Sequence, residues 1–120
     1  MTVDPTADEL RRLASADQDG PFVMLNLLKF SDADGSAYAE YARRAAPFLQ
    51  RYGGEVVYAG ECAQALVAPA EHDWDSVLLV RYPSRAAFLE MIADPGYRKI
   101  TPLRSAGLQG AVLQTTVPRH

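Results

Sequence analysis

Apolar residues gather into short blocks separated by Gly, Pro, Asp and Ser clusters, and the period inside each block identifies its element. Thr6-Ala7-Asp8-Glu9 carries a capping-box pattern, and Leu10, Leu13 and Ala14 follow at helical spacing, which predicts a short helix over about 6–16. Asp17-Gln18-Asp19-Gly20-Pro21 reads as a turn, and Phe22 to Phe30 is short and sharply bounded, as a strand is. Helical spacing resumes from about Ala37 to Tyr52, with Tyr38, Tyr41, Ala45, Phe48 and Leu49 on one face and Gly53-Gly54 as its stop. Pro47 lies inside this stretch and predicts a kink or a second start. Glu55 to about Ala68 reads as one strand, or as two broken near Gly60, and Ser76 to Tyr82 as the next. Ser84 is the expected N-cap of a helix that turns Phe88, Met91 and Ile92 inward and ends at Asp94-Pro95-Gly96. Tyr97 to Leu108 is expected to be short and irregularly helical, and Gly110 to Val117 a final strand.

After the first helix the order is β-α-β-β-α-β, the split arrangement of a ferredoxin-like α+β fold: an antiparallel sheet with the helices on one face. Residues 1–120 are read as one domain, with the ferredoxin-like core over about 22–117 and the N-terminal helix added to it. The other face of the sheet stands open. No helix is left over to cover it, so a second copy of the chain is the expected partner, which makes a homodimer.

Composition narrows the function classes. At 48% hydrophobic and 22% charged residues the chain has the make-up of a globular domain, and a net charge of −3 offers no basic field for nucleic acid or anionic lipid. Cys62 is the single cysteine, which excludes an intrachain disulfide and a CxxC site. The N-terminus lacks signal-peptide character and no apolar run approaches the roughly 18 residues of a membrane span. A cytoplasmic location is expected.

The pattern resembles the DUF1330 family, within the larger group of dimeric α+β barrel proteins. The residues that carry the likeness are Tyr38-Ala39-Glu40-Tyr41, Gly53-Gly54, Trp74-Asp75, Tyr82-Pro83-Ser84, Tyr97 and Arg104, over roughly residues 22 to 117. The resemblance implies a homodimer whose two sheets face each other as a barrel, with a cavity in each half. It implies little about chemistry, since relatives among such barrels include cofactor-independent monooxygenases, isomerases and haem-binding proteins, and the step from fold to activity is analogy.

Asn26 is the one amide in Val23-Met24-Leu25-Asn26-Leu27-Leu28, and left unpaired in a core it costs about 1–3 kcal/mol. Alternation puts Phe22, Met24, Asn26 and Leu28 on one side and Val23, Leu25 and Leu27 on the other. The purely aliphatic set is the expected partner of the helices, so Asn26 is expected on the open face. Arg81 is expected to reach the same region, with Gln114 or its neighbours Leu113 and Thr115 adding to it. An amide and a guanidinium in an apolar cleft make a small-ligand site, with Arg81 suited to carboxylate or enolate oxygens. Bonding of Asn26 to backbone, to Arg81 or to a partner chain alone is the structural alternative.

Trp74, Tyr97 and Arg104 are further ligand-binding candidates. Tyr97 and Arg104, seven residues apart, are expected near the cavity mouth. His72, in Glu71-His72-Asp73-Trp74-Asp75, is the candidate general base, against a surface-loop role in which Trp74 caps the barrel and Asp75 bonds backbone. Tyr38 and Tyr41 are expected to be core aromatics with their hydroxyls bonded at the rim. His120 is assigned no role. Asp32-Ala33-Asp34-Gly35 suggests a calcium loop, but its first and twelfth ligand positions fall on Phe30 and Tyr41, and the two His and one Cys have no zinc spacing. No metal and no cofactor are therefore expected. Two functions remain: a homodimer that binds a small organic molecule without catalysis, or a cofactor-independent monooxygenase or isomerase acting on a small cyclic or aromatic carbonyl compound.

Overall fold

The structure is a computed structural model that describes residues 3–15 and 20–119. Its elements are α1 (Ala7–Ala14), β1 (Phe22–Phe30), α2 (Ser36–Arg51), β2 (Glu55–Glu61), β3 (Ser76–Tyr82), α3 (Arg85–Ala93), α4 (Pro95–Gly107) and β4 (Leu108–Thr116). The strands form one antiparallel sheet in the order β2-β3-β1-β4. This is the ferredoxin-like α+β fold, with α1 added. No described helix is long and apolar enough to cross a membrane. Most of the turn expected over residues 17–21, the last residue of the predicted first helix, Ala16, and His120 lie outside the described residues.

Local chemistry accounts for the element ends. In α1 the Thr6 side chain accepts from Glu9 N–H and the Glu9 carboxylate accepts from Thr6 N–H, the reciprocal cap that the sequence predicts. The Ser84 hydroxyl accepts from Ala87 N–H to open α3. Asp94 caps α4 by accepting from Gly96 N–H, and it also accepts from the Tyr52 hydroxyl and from Arg51. Those bonds fasten the end of α2 to the α3–α4 junction and hold the Asp94 carboxyl below its usual range, the Tyr52 hydroxyl contributing most. Asp75 closes the far end of the sheet: its carboxylate accepts from Phe30 N–H, its own N–H donates to Leu28 O, and Cys62 N–H donates to its carbonyl. The expected backbone bonding of Asp75 is thus present, with Lys29 ion-paired to Asp73 and Asp75 beside it.

Four expectations are corrected. The helix through Pro47 does not restart: α2 is continuous from Ser36 to Arg51, because the contacts of Tyr41, Phe48 and Leu49 on both sides of the proline outweigh one missing backbone bond. The second strand ends at Glu61, and 62–75 runs irregularly over the surface, since Leu66 and Val67 have no neighbouring strand to pair with. The segment after Asp94 is a regular 13-residue helix, with Pro95 in the first turn where a missing N–H is harmless.

The fourth correction concerns β1. Phe22, Met24, Asn26 and Leu28 are buried on the helix side, while Val23, Leu25 and Leu27 are half-buried on the open side. The gap between sheet and helices takes the larger side chains. Phe22 stacks on Tyr82 at 5.5 Å between ring centroids, and Phe88 from α3 meets Tyr82 edge-on at 5.0 Å. Cross-strand neighbours share a face, so Val80, opposite Met24, is helix-facing and Arg81, opposite Val23, is on the open side.

α4 packs along α2, and Gly107 makes the close approach possible. A Cβ built on it lies 2.9 Å from Tyr38 N and 3.1 Å from Tyr38 Cα, which are rigid backbone atoms. Gly107→Ala is expected to destabilise the fold by about 1–3 kcal/mol through overpacking. Urea unfolding measures this, and a midpoint equal to wild type would show that the helices separate without cost.

Candidate functional site

Between the helix-facing side of the sheet and the helices lies a cavity of about 360 Å³, at the lower end of the range for small-molecule sites. Met24, Leu78 and Val80 form its sheet wall and Tyr38, Leu49 and Met91 its helical wall. Asn26, Tyr41, Tyr97, Arg104 and Asp4 supply polar groups to this apolar lining. Asp4, Pro5 and Leu10 also line a second, more open cleft, so the N-terminal segment forms a partition between the two.

Asn26, 7% exposed, donates from Nδ2 to Met24 O and Leu78 O, each at 3.3 Å. Two carbonyl acceptors identify that end of the amide as nitrogen, so Oδ1 is its acceptor end. The nitrogen of Asn26 therefore has the structural role, bridging β1 to β3.

Tyr41 from α2 and Tyr97 from α4 share a hydroxyl–hydroxyl bond of 2.6 Å. The hydroxyl of Tyr41 is thus bonded in the interior, between two helices, and not at the rim. Burial pushes the phenols of Tyr38, Tyr41, Tyr82 and Tyr97 up, and the Arg104 guanidinium draws each part of the way back. All four are neutral at neutral pH, and the field of Arg104 reaches them all.

Arg104 is 7% exposed. Its Nη1 donates to Val3 O and, at 3.0 Å, to Asp4 Oδ1, while Asp4 Oδ2 accepts from Ser105 Oγ at 2.8 Å. Its Nη2 is buried with no partner among the described residues. α4 positions Tyr97 and Arg104 two turns apart on one face, which is why they share the cavity.

Three of the sequence-predicted residues, Asn26, Tyr97 and Arg104, are brought together here. Arg81 is not: it is exposed on the opposite face of the sheet from Asn26, because its position in β3 pairs with Val23. Gln114 pairs with Leu25 and shares that outer face, whereas Leu113 lines the cavity. Trp74 and His72 lie in the 62–75 segment outside the cavity lining, with His72 exposed. Among the described residues no group of His, Cys, Asp or Glu side chains is placed to hold a metal. Reading the residues in sequence missed Asp4 altogether and placed the bonded hydroxyl of Tyr41 at the rim instead of against Tyr97. The spacing of Tyr97 and Arg104 was a usable signal, but the ion pair across a hundred residues from Asp4 to Arg104 had none.

The family model described as "Domain of unknown function (DUF1330)" matches residues 23–115. A crystal structure of a protein of unknown function from Rhodopseudomonas palustris is 36% identical, covering 98% of this chain and 97% of its own, with a TM-score of 0.89. At the level of fold alone the chain is similar to SnoaB, a cofactor-independent oxygenase from Streptomyces nogalater (18% identity, 84% and 95% coverage, TM-score 0.60). It is likewise similar to a dabb family protein with a ferredoxin-like fold from Mesorhizobium loti (14%, 84% and 99%, TM-score 0.58). A search of curated proteins finds no match.

Tyr97→Phe leaves the buried Tyr41 hydroxyl without its partner and is expected to cost about 1–3 kcal/mol. The double variant Tyr41→Phe/Tyr97→Phe is expected to cost less than the sum of the single ones. Urea melts of the four proteins close the cycle, and additivity within about 0.5 kcal/mol would mean the hydroxyls are independent. The raised phenols also set a pH limit. The unfolded chain releases its tyrosine protons near pH 10 while the folded one retains them, so stability falls as pH rises above about 10. The urea midpoint should decline through that range, and decline less in the double variant; equal slopes would contradict the assignment.

Proposed function

The chain belongs to the DUF1330 family, and from that premise we propose that it is a homodimeric, cytoplasmic binding protein that holds one small organic molecule in the cavity of each protomer. The observation that carries the reading is the pairing of an apolar chamber of about 360 Å³ with two polar side chains in its lining: Asn26, whose nitrogen is bonded to the sheet, and Arg104, whose Nη2 lacks a partner among the described residues. A chamber kept only by loose packing would lose dispersion contacts with nothing gained.

Support for the dimer comes from the other side of the sheet. Val23, Leu25, Leu27, Val77, Leu79 and Val112 share the open face, by the strand register. Beyond it, Leu66 and Val67 are 100% and 95% exposed in the single protomer. Burial of each aliphatic side chain contributes about 1.5–3 kcal/mol, and a second sheet packed face to face supplies that burial symmetrically.

The alternative, a cofactor-independent monooxygenase or isomerase for a cyclic or aromatic carbonyl compound, needs a base at the cavity. His72 is outside the lining, the phenols are held protonated, and the Asp4 carboxylate is engaged by Arg104 and Ser105. Binding is therefore the reading we adopt.

Native mass spectrometry of the purified protein is expected to give twice the 13.1 kDa chain mass. A monomer at micromolar concentration would refute the dimer. For the cavity, thermal-shift screening should yield compounds that raise the Tm of wild type but not of Leu113→Trp, whose side chain fills the chamber from β4. Compounds acting equally on both proteins would place binding elsewhere.

A further inference from the structure

The orphaned nitrogen of Arg104 carries information about the ligand. A guanidinium brought into an apolar interior normally satisfies its donors on every side, since each buried donor left unpaired is costly. Here, among the described residues, only one half of the fork is served: Nη1 holds Val3 O and Asp4 Oδ1, and Nη2 holds nothing. The compensation that Asp4 provides is incomplete, because its side chain is 54% exposed and its charge is screened by water, whereas that of Arg104 is 9% exposed. A net excess of positive potential is therefore directed at the tyrosines that line the chamber, each of which it draws toward ionisation.

The remaining lining offers no rival for that excess. Among the described residues Asp4 is the one carboxylate there, and it is already bonded to Arg104 and Ser105. Arg98, the other charged residue of the lining, is a cation on the exposed side of α4. An occupant thus meets apolar walls, the Asn26 amide, tyrosine hydroxyls and the Arg104 guanidinium, whose Nη2 lacks a partner among the described residues.

We propose that the cavity selects small apolar carboxylates, with the ligand carboxylate accepting from Arg104 Nη2 and Asp4 serving as the internal counter-ion that the ligand supplements. This rests on the reading of the cavity as a small-molecule site. The ligand's hydrocarbon part lies against Met24, Leu78 and Val80, and a hydroxyl or N–H on it donates to Asn26 Oδ1. The N-terminal segment is part of the site, because Val3 and Asp4 hold the guanidinium in place.

The test uses the full chain and three pairs of probes: benzoate, 1-naphthoate and octanoate, each against its primary amide, titrated calorimetrically. At least one acid is expected to bind about ten-fold more tightly than its amide, the factor by which a charge-assisted bond exceeds a neutral one. Asp4→Asn removes the internal counter-ion and should raise the ratio of acid to amide affinity about ten-fold or more. Arg104→Lys keeps the charge but loses Nη2 and should abolish the preference. If that variant does not fold, Asp4→Asn decides alone. Acid and amide binding equally, with no response to Asp4→Asn, overturns the carboxylate assignment and leaves the cavity reading intact. Failure of all six probes to bind overturns the cavity reading together with it.

Discussion

One buried cation organises the interior between α2, α4 and the N-terminal segment. The Arg104 guanidinium comes from the last turns of α4 and enters an interior otherwise built of aromatic and aliphatic side chains. It can be accommodated only where oxygen acceptors meet it, and the N-terminal segment brings them, through Val3 O and the Asp4 carboxylate. That requirement explains why a helix outside the ferredoxin-like core sits where it does. It also explains why Asp4 and Pro5 border the cavity: the chain must pass close to Arg104 before α1 begins.

The same principle, that a polar group inside must find a partner, operates at Asn26 and at the Tyr41–Tyr97 pair, with different results. Asn26 commits its nitrogen to two carbonyls of the sheet while its side chain borders the chamber. The two tyrosines satisfy each other across α2 and α4 and stay neutral because burial disfavours the phenolate. Among the described lining residues the phenols are thus protonated and the Asp4 carboxylate is engaged by Arg104 and Ser105. The fold around the chamber is one that a cofactor-independent oxygenase also has.

How far this was legible varies by element. Caps written in adjacent residues, Thr6 with Glu9 and Ser84 with Ala87, read directly from the sequence because both partners lie within one helical turn. The extent of α4 did not, since Pro95 and Pro102 suggest irregularity when packing against α2 is not yet known. β1 was read with its faces exchanged. Both of its sides are apolar, so alternation separates Val23, Leu25 and Leu27 from Phe22, Met24 and Leu28 without saying which faces the helices. The discriminating signal was size: the aromatic and flexible set fills the deep helix side, and the flat aliphatic set suits a sheet surface.

By itself the sequence determined the order of elements, the antiparallel ferredoxin-like core, the N-terminal cap and the membership in a family, because each depends on periodicity and on partners close along the chain. It also singled out Asn26, Tyr97 and Arg104 as residues to watch. Only the tertiary structure decided that these three share one chamber, that Arg81 stands on the far side of the sheet, and that Asp4 is the counter-ion of Arg104. Those facts depend on strand parity and on a contact spanning a hundred residues, and neither leaves a local trace: side-chain alternation is symmetric until something packs on one face, and a long-range ion pair exists only once the chain has closed around it.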